Sequence, residues 1–183
     1  MLTSLVLAVA LAGAGVWWFA LRKTGVDPAV YARSACGSVQ DWQQKLVTQA
    51  STLMRERQQR TRTADKRAAA VDYYTGLAAR TSALETALRA AGTPDLPGGE
   101  EYADRLVDAV STQVSSLRDS AGYAGRLDIS SPKDFENSLN SLLTGADTLP
   151  TEVIATLAQP PVGTSPKLRA ALAAEPACAP YTG

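Results

Sequence analysis

Residues 100–126 read EEYADRLVDAVSTQVSSLRDSAGYAGR, and this stretch decides the fold. Ala103, Val107, Val110, Val114, Leu117, Ala121 and Ala124 alternate steps of four and three along it. Those steps return a side chain to one face of an α-helix. The seam is small and β-branched, as where helices approach closely in a bundle. Glu100, Glu101 and Asp104 occupy the first turns, where the helix dipole favours anions. A helix starting near Glu100 is therefore predicted, and it must bury its seam against other helices.

Similar stripes lie on both sides. Upstream, Val71, Tyr74, Leu77, Thr81, Leu84, Leu88 and Ala91 step by three and four, and Gly92 stops the pattern before a Pro/Gly-rich loop at 92–99. Earlier still, Asp27-Pro28 reads as an N-cap with proline at the first helical position. Val39, Trp42, Leu46 and Leu53 follow as its stripe. Between these two helices, Arg55, Arg57, Arg60, Arg62, Lys66 and Arg67 outnumber Glu56 and Asp65. Helical phase would aim Arg57, Arg60 and Arg67 at the core, where an unpaired cation is costly. A turn is expected there, although no Gly or Pro marks it. The alternative is one unbroken helix from residue 28 to residue 91.

Downstream, Ser131-Pro132 opens a fourth helix with the stripe Phe135, Leu139, Leu142, Ala146 and Leu149. Pro150 interrupts it, and 151–157 resumes as a further helical piece. After an irregular stretch at 159–163, Ser165-Pro166 starts a last short helix through Ala173, and Pro176 ends it before Cys178. No stretch alternates polar and apolar for long enough to be a strand. The expected fold is all-α, with an up-and-down four-helix bundle over residues 24–183.

Residues 1–23 read differently. Leu2 to Leu21 carry no charge. Twenty helical residues span about 30 Å, the thickness of a bilayer's hydrocarbon core. The run ends in Trp17, Trp18 and Phe19 and then Arg22 and Lys23, which suit the membrane interface. A single transmembrane signal-anchor helix is expected. A cleaved signal peptide with its apolar region at Leu5–Ala12 is the alternative, but the apolar run continues past Gly15 into the aromatic residues. Lipidation at Cys36 is rejected, because that residue lies 15 positions beyond Leu21 and follows Arg33-Ser34-Ala35.

The composition narrows function. The 18 Lys and Arg balance the 18 Asp and Glu, so the basic excess of a nucleic-acid binder is missing. Histidine is absent, which removes the commonest general base and most zinc sites. The plentiful Ser and Thr have no histidine partner to activate them. No catalytic residues, metal ligands or cofactors are expected.

The two cysteines bear on compartment. An up-down-up-down bundle returns the chain end to its base, so Cys178 comes back beside Cys36. A disulfide there would imply an oxidising compartment. The alternative is two separate buried thiols. Arg22 and Lys23, read by the positive-inside rule, point the other way and would put the domain in the cytoplasm. The cysteines weigh more, and the domain is expected outside the membrane.

Several motifs occur in order: Ala35-Cys36-Gly37-Ser38-Val39-Gln40-Asp41-Trp42, then Gly92-Thr93-Pro94, then Ser131-Pro132-Lys133-Asp134-Phe135, then Leu168-Arg169-Ala170-Ala171-Leu172, and finally Glu175-Pro176-Ala177-Cys178. Together they resemble a group of small exported helical proteins of actinobacterial envelopes. The resemblance implies a Cys36–Cys178 pair and an extracytoplasmic domain, and it brings no catalytic residues. Many members carry a lipid-modified cysteine where this chain has the apolar segment.

The expected function is a non-catalytic, membrane-anchored accessory or scaffold protein on an integral membrane complex. A respiratory supercomplex and a lipid transporter are candidate hosts. Small residues at Ala8, Ala12 and Gly15, or at Gly13 and Ala14, would let the anchor pack sideways against another helix. The basic run (Arg55, Arg57, Arg60, Arg62) and the acidic face (Glu100, Glu101, Asp104, Asp108) are the candidate partner surfaces. The alternative is an envelope module that holds a small molecule, lipid or glycan between its helices.

Overall fold

The computed structural model describes residues 25–146, 149–161 and 163–182, and those residues are mostly helical with no named strand. The elements are α1 (Pro28–Gln59), α2 (Thr63–Ala91), α3 (Gly99–Arg126), α4 (Pro132–Ala146), α5 (Leu149–Ala158) and α6 (Pro166–Ala174). A 3₁₀ turn at Pro176–Cys178 and the short α7 (Ala179–Thr182) end the chain. Among the described residues no helix is long and apolar enough to cross a membrane. The expected anchor over residues 1–23, with Trp17, Trp18, Arg22 and Lys23, lies outside the described residues.

The helix starts follow local chemistry. Asp27 Oδ1 accepts from the amides of Ala29 (2.8 Å) and Val30 (3.3 Å), and Pro28 has no amide to satisfy. Ser165 Oγ accepts from the Lys167 amide at the start of α6. Gly92 ends α2 at φ 79°, a conformation that favours glycine.

The chain turns between α1 and α2, so the unbroken helix is excluded. The turn contains neither Gly nor Pro. Arg60 and Arg62 both take extended backbone conformations. The Arg60 guanidinium braces the corner, donating to Glu56 Oε2 at 3.1 Å and to the Asp65 carbonyl at 3.4 Å.

Side-chain pairs fix the topology. Trp42 meets Thr81 and Gln49 meets Tyr73, so α1 and α2 run antiparallel. Tyr102 meets Leu157 and Gln113 meets Glu152, so α5 runs antiparallel to α3. Lys66 meets Glu136 and Tyr74 meets Leu142, so α4 runs in the direction of α2. The fourth column of the bundle is thus split. Its upper piece, α4, descends from the end where α1 turns into α2, and its lower piece, α5, reaches the end where the chain enters.

The core divides accordingly. The distal cluster holds Leu53, Tyr73, Tyr74, Leu77 and Leu117 against Phe135 and Leu139 of α4. The basal cluster holds Tyr31, Trp42, Leu84, Leu88, Tyr102, Leu106 and Val110 against Val153 and Leu157 of α5 and Leu168 and Leu172 of α6.

Candidate functional site

The base is built around a covalent closure. Cys36 and Cys178 form a disulfide across 142 positions, with Cα atoms 5.1 Å apart and both residues fully buried. The chain end is further held by Tyr181, whose hydroxyl donates to Gln43 Oε1, and by an Arg33–Glu175 ion pair at 3.4 Å. Closing so long a loop nominally contributes about 5 kcal/mol by restricting the unfolded chain.

Two tyrosines sit at the centre of this end. Tyr31 and Tyr102 meet edge to face with ring centroids 6.0 Å apart. Burial raises both phenols well above the ordinary value, and the nearby Asp104 carboxylate adds to the rise at Tyr31. The Tyr102 hydroxyl donates to the Leu157 carbonyl at 2.7 Å. That carbonyl lies four residues before Pro161, which has no amide to offer it, so Tyr102 caps the end of α5.

The candidate acidic residues Glu100, Glu101, Asp104 and Asp108 are all exposed on the first turns of α3, near the base. Among the described residues none of the four takes part in an ion pair. No group of three or more His, Cys, Asp or Glu among the described residues could hold a metal ion.

The candidate basic residues occupy the distal end, and they are not alike. Arg57 donates to Glu136 Oε2 at 2.8 Å and to Asn140 Oδ1 at 3.0 Å. Lys66 donates to the other Glu136 oxygen at 2.6 Å. Arg67 donates to the Leu127 carbonyl at the end of α3. Of the three cations that helical phase aims at the core, Arg57 is partnered by α4, Arg67 by the end of α3 and Arg60 by Glu56 and the Asp65 carbonyl. Sequence phase located them but could not supply partners about 60 to 80 positions away. Arg55 and Arg62 remain exposed, with Arg62 3.9 Å from Asp65. The hydrogen bond from Lys66, with that from Arg57, holds the Glu136 carboxyl below the usual range against an opposing effect of burial.

An open groove of about 550 Å³ runs along α1 and α2, with Trp42, Leu84, Ala79 and Ala83 in its lining and Asp41, Lys45 and Arg80 beside them. The groove was not legible in the sequence, because alanines at helical spacing read equally well as a packed seam. Comparison with family models, with curated proteins and with solved structures finds no match for this chain, so its own residues carry the functional reading.

Proposed function

We propose that the chain is a non-catalytic accessory protein of an actinobacterial cell membrane, with residues 1–23 as a single anchor and the bundle on the extracytoplasmic side, docked on an integral membrane complex. The observation that carries this reading is the Cys36–Cys178 bridge at the end from which residues 1–23 extend. A bridge of this kind persists in an oxidising compartment. A disulfide-closed bundle whose described residues hold no metal-binding cluster suits a scaffold better than an enzyme. The test is a crosslinked, mild-detergent pulldown from the native membrane, read by mass spectrometry. Stoichiometric recovery of an integral membrane complex is expected, and recovery of the protein alone would count against docking.

The groove along α1 and α2 favours a second reading, an envelope module for a small molecule, lipid or glycan. That reading expects thermal stabilisation by an envelope lipid extract and loss of the effect in Ala83→Glu. The docking reading expects neither.

A further inference from the structure

The first described residues form a strap rather than a linker. Val26 donates its amide to the Thr93 carbonyl at 2.7 Å, and its own carbonyl accepts from the Asp95 amide at 2.8 Å. Val26 thereby makes an isolated parallel bridge with Pro94. Two glycines make room for this contact. A Cβ on Gly25 would stand 2.7 Å from the Asp95 Cα, and one on Gly92 would stand 2.8 Å from a Val26 methyl. Asp27 then caps α1 at once. The chain is fixed to the bundle from Gly25 onward, by backbone bonds that loosening a side chain would not release.

Only Arg22, Lys23 and Thr24 separate this strap from the uncharged run that ends at Leu21. Three residues span at most about 10 Å. We infer that the bundle has no stalk and that its base, with Asp95 and Pro97 of the loop before α3 and Lys167 at the start of α6, rests against the lipid headgroup layer. This rests on the reading of residues 1–23 as a membrane anchor. The base carries both signs of charge, with Asp27, Asp95 and Glu100 beside Lys167, so the strap and not lipid charge holds it there. The distal loop at Arg60–Arg62 stands away by the length of α1, 32 residues or about 48 Å. The strap therefore fixes the height of each surface. The acidic turns of α3 lie near the membrane, and the Arg57–Glu136 corner lies far from it.

The test uses the full chain in phosphatidylcholine vesicles that carry a nitroxide on the headgroup. A fluorescent amino acid replaces Pro97 at the base or Thr61 at the distal loop. Quenching at position 97 should be at least threefold that at position 61. A flexible ten-residue Gly/Ser insertion between Thr24 and Gly25 should bring the two values together. Equal quenching at 97 and 61, in protein that stays with the vesicles after an alkaline carbonate wash, would overturn the inference and leave the anchor intact. Strong quenching at 97 that survives the insertion would overturn the role of the strap. Release of the protein by carbonate would overturn the anchor and the inference together.

Discussion

The indole of Trp42 is 3 % exposed, and its N–H donates to Thr81 Oγ1 at 3.1 Å. A donor so buried is costly to strand. Trp42→Ala should destabilise by about 3–5 kcal/mol in urea unfolding, from lost burial plus the cavity left behind. Thr81→Val keeps the shape and removes the acceptor, and should cost about 1–3 kcal/mol. A change below about 1 kcal/mol for Trp42→Ala would mean that the ring does not anchor the basal core. Tyr102 gives a second residue-scale test. Tyr102→Phe leaves the Leu157 carbonyl without its hydroxyl partner, at an expected cost of about 1–2 kcal/mol. The raised phenols of Tyr31 and Tyr102 also set a sign at high pH. The unfolded chain loses these protons near pH 10 and the folded chain does not, so stability is kept below about pH 10 and falls above it. Unfolding midpoints from pH 8 to pH 11 would show that slope. It should be shallower in Tyr31→Phe.

Among the elements, α4 is the least secured. It contributes Phe135 and Leu139 to the distal core, and one of its carbonyls, that of Leu142, accepts from the Tyr74 hydroxyl. Glu136, held by Lys66 and Arg57 together, is its polar lock. Glu136→Gln should destabilise by about 1–2 kcal/mol at pH 7, more than an exposed pair but less than a buried one. The folded-state pKa of Glu136 is depressed, so its contribution is present above the unfolded value, near pH 4.3, and is lost as pH falls through the folded value. Wild type and Glu136→Gln should therefore converge in stability toward pH 3. A gap unchanged between pH 7 and pH 3 would show that the charge is not what locks α4. This element also shows what a sequence can disclose. The stripe Phe135, Leu139, Leu142 and a break close to Pro150 were readable, because period and proline act locally, although Leu149, expected to end α4, opens α5 with Pro150 in its first turn. The Lys66–Glu136–Arg57 lock was not, since it joins three elements whose register is set only by packing. Leu106 escapes the pattern for a related reason. A seam at steps of three and four marks one line of α3, whereas a central helix buries a wider face.

For the whole molecule, the Cys36–Cys178 bridge ties the last residues to the first helix. The segment from Pro166 to Thr182 packs on α1 through Leu168, Leu172 and Tyr181. It has few elements of its own to rest on, and α7 is four residues long. The four-column core, by contrast, draws on α1 to α5 and does not depend on the chain end for its distal half. The disulfide should therefore act unevenly. In the double variant Cys36→Ala, Cys178→Ala, global stability should fall by about 2–5 kcal/mol. Hydrogen exchange should show protection lost first across 166–182 and least around Leu77 and Leu117, because removing the bridge takes away the covalent tether of that segment and leaves the distal core untouched. Uniform loss of protection along the chain would mean that the bundle and its C-terminal segment unfold as one unit. The same pair of thiols reports compartment. Alkylation of cell extracts in denaturant, read by mass, should leave both cysteines unmodified unless a reductant is added first, because the bridge offers no thiol to the reagent. Modification in denaturant without reductant would show the chain reduced where it works, and would remove the support for placing the bundle outside the membrane.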